Sequence, residues 1–531
     1  MKEQVLAVRG VGGYRQYRIP AMAVTPSGKI LAIYDARADF DDLPGPIDLV
    51  IRTSVDQGST WSEQEVFRKH TGHSGFGDAS ITVDPSYGEF GRVIVLYQST
   101  QDAGFFESVL GSEENNPRIA HIGRSISDDD GVTWRHDLIT DQLKDEITPG
   151  IFATSGMGGR ITAGEFAGRL LQTFVLRREF ELLAAIGFSD DHGENWQLGA
   201  LLPGGNESAI VGLRDGSILI HSRATPLRIM ARSFDGGKTL TVVEPEIQLP
   251  DPSDNGSLGV LSNGDVICTH NHDTDLRINT ILKKSSDGGK RWESAICIEP
   301  GSSAYSTACE LSDGSIGVLY ERNAYQEIVF TRYSTDEFLP IEQVLKSKTQ
   351  ELEFTVVPRY IRPGRNLEVE AAMRNTPKVP EVNMSGFRSS ERKEVGATGG
   401  TTSGDPLFTS DELEKILGPI SPGLHLNDEI RFSVRINNLG VEKLQEIELL
   451  DRENKVVFAH PVLNPKEKVC ALDIRQVITR DDAASKVVTF DFKLNCKASN
   501  SNREADMEIN QVVTVEIPNG AKQGATSLSN H

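Results

Sequence analysis

The sequence predicts an all-β chain that opens with a six-bladed β-propeller, and two sets of repeats carry that prediction. The first is an eight-residue box, SVDQGSTW from Ser54 to Trp61. It returns as SDDDGVTW, SDDHGENW, SFDGGKTL and SSDGGKRW, beginning at Ser127, Ser189, Ser233 and Ser285. The second is a Gly-containing turn leading into an apolar strand. It appears as TPSGKILAIY, EFGRVIVLYQ, EFAGRLLQTF, LRDGSILIHS, LSNGDVICTH and LSDGSIGVLY, all between about residues 26 and 320.

Each box follows a short alternating or apolar run (DLVIRTS, AHIGRSIS, LLAAIGFS, LRIMARS, INTILKKS), so it reads as a strand entering a turn. Within the box, Asp bonds backbone amides, Gly supplies positive φ, and the closing Trp lays an apolar face on the blade. All four tryptophans, Trp61, Trp134, Trp196 and Trp292, occupy that last position. The glycine turns read as tight hairpins. Repeats of short strands with a period of roughly 40–50 residues mark propeller blades. Six hairpins and five boxes fit six blades, the last without the box turn. The boxes therefore read as structural, not as a calcium or sugar site.

The chain of 531 residues is too long for one ordinary core, so two or more domains are expected. Hydrophobic content of 38% and charged content of 25% are those of a globular protein. No apolar run reaches the roughly 18 residues that cross a bilayer, which predicts no membrane insertion. The opening MKEQVLAVRG lacks the charged head and apolar stretch of a secretion signal, which leaves a cytosolic protein or a signal already removed. A net charge of −21 argues against nucleic acid or an anionic membrane as partner. Cys268, Cys297, Cys309, Cys470 and Cys496 show no metal-like pairing and read as buried structural thiols.

The boxes resemble the Asp boxes of the bacterial sialidase (neuraminidase) family, and further motifs over about residues 1–340 resemble that family in its order. YRIP contains Arg18, IHSRAT contains Arg223 and TDLRINTILKKS contains Arg277, which the resemblance makes an arginine triad. The DLPGP of ARADFDDLPGP resembles the acid/base loop and gives Asp42; its spacing favours Asp42 over Asp41. GGNES gives Glu207, AYS gives Tyr305, and LYE gives Glu321 as the brace of the first arginine. GFGDAS suggests Asp78 as a contact for the N-acetyl side of the sugar, and YDAR suggests Arg37 near its 4-hydroxyl. Single motifs are weak; their combination with five boxes is specific.

The chemistry of the implied substrate accounts for these residue types. Sialic acid carries a carboxylate directly on its anomeric carbon, and guanidinium groups hold a carboxylate by paired planar hydrogen bonds. A carboxylate nucleophile would meet a like charge there, whereas a neutral tyrosine does not. A phenol with an ordinary pKa of about 10 needs a base beside it, the role the resemblance gives to Glu207. Asp42 would act as general acid and then base. The implied activity is an exo-α-sialidase acting on sialylated glycoproteins, glycolipids or oligosaccharides by a retaining double displacement, with no cofactor and no metal. Bland alternatives stand beside each assignment: Arg18 as a strand arginine paired with Glu321, Asp42 as a solvated loop charge, Tyr305 as a packed aromatic. A sialic-acid-binding lectin or adhesin without turnover, a trans-sialidase variant and another glycosidase on the same scaffold are the alternative functions. Linkage preference and oligomeric state are not legible.

After about Asp336 the vocabulary changes to box-free alternating segments such as LEVEAAM, EIRFSVRI and VVTFDFKL. The domains expected are a propeller over 1–340 and a β-sandwich over 341–518, with a disordered tail over 519–531. The second region resembles the immunoglobulin-like sandwich appended to secreted bacterial sialidases, which implies a secreted or cell-surface location and a stalk or spacer role. A Gly/Ser/Pro-rich insertion near 376–422 contains TSDELEKILG, read as one short helix with a Thr409–Glu412 capping box and Gly418 after its end.

Overall fold

The computed structural model describes residues 3–39, 41–178, 181–345, 352–362, 364, 409–418, 420, 423–485, 487–500 and 503–516. The segment LEVEAAM, most of the 376–422 insertion and the 519–531 tail lie outside the described residues.

Six four-stranded antiparallel units follow one another around an axis. Blade 1 comprises Gln16–Val24, Ile30–Arg37, Ile47–Ser54 and Glu65–Arg68. Blade 2 comprises Gly75–Asp84, Arg92–Thr100, His121–Ser127 and Arg135–Leu138, and blade 3 Gly150–Ala153, Leu170–Arg178, Glu181–Ser189 and Gln197–Pro203. Blade 4 comprises Ser208–Gly212, Ile218–Ser222, Leu227–Ser233 and Glu244–Pro250. Blade 5 comprises Ser257–Val260, Val266–Asn271, Ile278–Ser285 and the first part of the long strand Ser294–Glu310. The second part of that strand opens blade 6, followed by Ile316–Arg322 and Glu327–Tyr333.

The outer strand of blade 6 is the start of the chain. Gln4–Val8 pairs antiparallel with Glu327–Tyr333, Gln4 opposite Phe330. This explains the missing sixth box: blade 6 has no turn from its third to its fourth strand, because the fourth comes from the other end of the chain.

Strand alternation builds the blade-to-blade core, since successive side chains point to opposite faces. Ile30, Ala32, Tyr34 and Ala36 face the cluster between blades 6 and 1, while Leu31 and Ile33 face the one between blades 1 and 2. Further apolar clusters fill the remaining four junctions of the ring.

The boxes staple neighbouring blades together. In the first, Asp56 Oδ1 accepts from Thr60 N at 2.8 Å and the Trp61 ring meets Phe330 of blade 6 edge-on at 5.0 Å. Gly58, at φ 78°, lies so close that a Cβ would fall 2.0 Å from the Phe330 ring. Trp196 of blade 3 is buried among Ile94, Ile122 and Ile126 of blade 2. Where the third box replaces threonine, Asn195 Nδ2 donates to Asp191 Oδ2 at 2.7 Å and restores the same link.

The described residues between 352 and 516 include two further sheets. Leu352–Arg362, Glu429–Asn438 and Lys468–Val477 make one; Val456–Leu463, Lys443–Leu450, Val487–Asn500 and Arg503–Glu516 make the other. The order, first–second–fifth and fourth–third–sixth–seventh, is an immunoglobulin-like arrangement with the fourth strand carried to the other sheet. One apolar cluster draws on both sheets, with Phe432 edge-on to Phe490 and Phe492 at 5.0 Å each. Phe458 packs against this cluster. The helix Ser410–Leu417 has the expected Thr409–Glu412 capping box, and Gly418 closes it at φ 76°.

Cys268, Cys309 and Cys496 are buried, but Cys297 is exposed and Cys470 half-buried, so the expectation of five buried thiols is corrected. Both depart because their strands have one face outside the apolar core, which flanking hydrophobic residues alone do not reveal. No helix among the described residues is long and apolar enough to cross a membrane.

Candidate active site

Antiparallel order sorts the chemistry onto one face of the ring. In every blade, the start of the first strand, the end of the second and the start of the third lie at the same end. Hairpins from first to second strand and box turns from third to fourth lie at the other. Arg18, Asp78, Glu207 and Tyr305 stand at or just before first strands; Arg37, Arg223 and Glu321 stand at or just after the ends of second strands; Arg277 precedes a third. All eight share one face, Asp42 in the adjoining loop joins them, and the boxes face away. First strands of successive blades touch one another around most of the ring, so this face converges on the axis.

At the centre, Tyr305 Oη donates to Glu207 Oε2 at 2.5 Å and accepts from Arg223 Nη1 at 2.7 Å. Arg223 Nη1 also donates to Glu207 Oε2. The guanidinium carbons of Arg18 and Arg277 lie 5.4 and 5.5 Å from the centroid of the Tyr305 ring. Three arginines from blades 1, 4 and 5 thus surround one phenol from blade 6. Burial pushes the Tyr305 phenol well above its ordinary value, overcoming the opposing pull of Arg223 and Arg277, so the group is neutral.

Glu321 is fully buried and organises this centre. Its Oε1 accepts from Arg18 Nε at 2.8 Å and Ile19 N at 2.8 Å; its Oε2 accepts from Arg18 Nη2 at 3.3 Å and Tyr305 N at 3.2 Å. Ile19 sits at φ 58°, a costly conformation for a β-branched residue, at the bulge where blade 1 turns Arg18 toward the axis. Asp78, at φ 58°, occupies a similar bulge in blade 2.

Around the rim, Arg37 Nη2 donates to Asp35 Oδ2 at 2.7 Å and to Asp42 Oδ1 at 3.0 Å. Arg37 is fully buried, while the Asp42 side chain is 44% exposed. The geometry therefore makes Arg37 first of all a tether of Asp42. Burial raises Asp35 to about 6, against the pull of Arg37. Burial also pushes Asp78 well above the usual carboxylate range, reinforced by the charges of Asp42, Asp35 and Glu207. Gln98 Nε2 donates to Asp78 Oδ2 at 2.6 Å.

Residues 45–318 match the BNR repeat-like domain family. The chain belongs to that family. A sialidase of Micromonospora viridifaciens is 36% identical over 337 residues, covering 60% of this chain and 52% of that protein. A sialidase of Bacteroides fragilis (strain YCH46) is 29% identical over 333 residues, covering 57% of this chain and 60% of its own. The chain thus spans little more than half the length of these relatives. The solved structure of Hadza microbial sialidase Hz136 has the same fold, with a TM-score of 0.58 at 23% identity over 64% of this chain and 69% of that one.

Two residues at this face lie outside the motifs described above. Tyr325 Oη accepts from Arg277 Nη1 at 2.9 Å, and its ring lies 3.9 Å beneath the Arg18 guanidinium. Asp254 is buried, with Oδ1 3.4 Å from Arg277 Nη2. Burial pushes its carboxyl up to about 7, against the pull of Arg277 and Arg223. Tyr325 lies in NAYQE, where Asn323, Ala324 and Tyr325 all sit at positive φ, a conformation that the residue types do not announce. DNG, around Asp254, had no distinguishing pattern.

Proposed function

We propose that the chain is an exo-α-sialidase that releases terminal sialic acid from glycoproteins, glycolipids or oligosaccharides with retention of configuration. The observation that carries the reading is the Tyr305 hydroxyl bonded to both Glu207 and Arg223, with the guanidinium carbons of Arg18 and Arg277 at 5.4 and 5.5 Å from its ring centroid.

In the first displacement, the substrate carboxylate is held by Arg18, Arg223 and Arg277. The Tyr305 oxygen attacks the anomeric carbon as its proton passes to Glu207, and the glycosidic C–O bond breaks. Asp42 gives its proton to the leaving oxygen. In the second, water attacks the same carbon and loses a proton to Asp42. The bond to Tyr305 breaks, and Glu207 returns the proton to the phenolate. Two inversions give retention, and the tyrosine places the reaction outside the two-carboxylate scheme of most glycosidases. Asp78 and Arg37 are assigned to the N-acetyl and 4-hydroxyl sides of the sugar. Such glycans face the outside of cells, so the reading carries a secreted or cell-surface location with it.

The test is hydrolysis of a fluorogenic α-sialoside, with the first-formed product anomer followed by NMR. Release of α-sialic acid is expected, and Tyr305→Phe should lower kcat at least ~100-fold. Near-normal turnover by that variant would remove the assigned nucleophile; binding of sialosides without turnover by the unaltered chain would favour a lectin.

A further inference from the structure

The sandwich was expected to act as a stalk, but it sits against the catalytic face at several places. Ser302 Oγ, on the strand that carries Tyr305, donates to Pro358 O at 2.5 Å. Tyr360 packs against the cluster of Ile19, Ala304, Tyr305 and Tyr325. Leu413 and Ile416 of the helix Ser410–Leu417 bury Ala38, just ahead of the Asp42 loop.

A further contact is ionic. Arg435, from the sandwich strand Glu429–Asn438, donates through Nη1 to Asp273 Oδ1 at 2.6 Å and Oδ2 at 2.7 Å, and through Nη2 to Glu353 Oε1 at 3.2 Å. Arg435 and Asp273 are both 8% exposed. Lys468 Nζ adds a bond to Asp275 Oδ2 at 2.6 Å. Asp273 in turn accepts from Asp275 N and Leu276 N at 2.9 Å each, which folds the loop back on itself. The next residue is Arg277.

The geometry points to Arg435 as a positioning residue for the substrate carboxylate: it clamps Asp273, and Asp273 fixes the loop that aims Arg277 at the site. The inference rests on the sialidase reading above. Arg435 Nη1 reaches both oxygens of Asp273 while Nη2 is held by Glu353, so the planar guanidinium is pinned between two carboxylates, whereas a lysine at this position has a single point of attachment and would leave Asp273 free to swivel. The sandwich is then part of the binding site and not a spacer beside it. Charge arranged in this way sets affinity for the acid group and leaves the rest of the sugar untouched.

The experiment compares inhibition of sialoside hydrolysis by sialic acid and by its methyl ester, in the full chain carrying Arg435→Met, Arg435→Lys or Asp273→Asn. Arg435→Met should raise KM and weaken the acid about tenfold while leaving the ester unchanged, and Arg435→Lys should fall between the two. In an Arg277→Ala background, Arg435→Met should add no further loss. Equal weakening of acid and ester, an unchanged KM in the folded variant, or a full additional loss in the Arg277→Ala background would overturn the clamp. Should Arg435→Met fail to fold, the acid-to-ester ratio of Arg435→Lys decides in the same way. Absence of turnover in the unaltered chain would overturn the sialidase reading alone, because direct binding of acid and ester still tests the clamp.

Discussion

The Tyr305 hydroxyl and the Glu207 carboxylate lie 2.5 Å apart, oxygen to oxygen, Tyr305 on a strand of blade 6 and Glu207 just ahead of the first strand of blade 4. A phenol held neutral by burial needs a proton acceptor beside it before it can act as the proposed nucleophile, and that is the role proposed for Glu207. Glu207→Gln keeps the shape and removes the base. It should lower kcat ~100-fold or more with little change in KM, read from steady-state kinetics on an aryl sialoside. An unchanged kcat would mean that another group takes the proton.

Glu321 is a counter-charge as well as a hydrogen-bond hub. In Glu321→Gln the buried Arg18 loses its ion pair, and the new amide brings a donor toward Ile19 N or Tyr305 N. Removing one partner of a buried pair costs about 3–5 kcal/mol. The variant should show a clearly lower unfolding midpoint in calorimetry together with a raised KM. A midpoint equal to that of the unaltered protein would contradict the assigned role.

Asp254 ties affinity to pH. Its carboxyl rises on burial to about 7, so it is neutral below that pH and ionised above it. Ionised, it competes with the substrate carboxylate for Arg277. KM should therefore rise as pH increases through about 7, by up to about tenfold per unit. Because the folded pKa is raised, the associated stability is present at low pH and is lost as pH climbs through the same value. Asp254→Asn should flatten the KM profile across that window, and a profile that keeps its inflection would assign it to another group.

Trp196 reports on the boxes as staples. Its side chain is buried across the junction of blades 2 and 3, with Nε1 donating to Gly193 O at 3.1 Å. Trp196→Ala should destabilise the propeller by about 3–5 kcal/mol, visible as an earlier thermal transition. The face opposite the boxes should keep its geometry, so kcat of the folded fraction should stay within about twofold of normal.

The propeller was legible because its signals are local and repeated: each box and each glycine hairpin announces a turn within ten residues. The main residues proposed for the site come from motifs of the same short range. Asp254 was not, since its importance arises from Arg277 in another loop and from burial, neither of which a lone DNG displays. Arg435 and Asp273 lie 162 positions apart, and each reads in sequence as an ordinary surface charge. Only the docking of the two domains turns them into a buried pair. Arg37 was legible as a residue but not in its geometry, because its tether to Asp42 depends on the path of the intervening loop.

The closing strand of blade 6 has a consequence for how the molecule is made. Glu3, next to that strand, bonds Arg322 across 319 positions, so the strand Gln4–Val8 must wait until the last blade has been synthesised before finding its partners. Until then the nascent ring is open, with an unpaired edge on Glu327–Tyr333 and a solitary ribbon at the amino end. Such long-range closure is slow by nature, and the growing polypeptide is most vulnerable to mispairing with its neighbours in that interval.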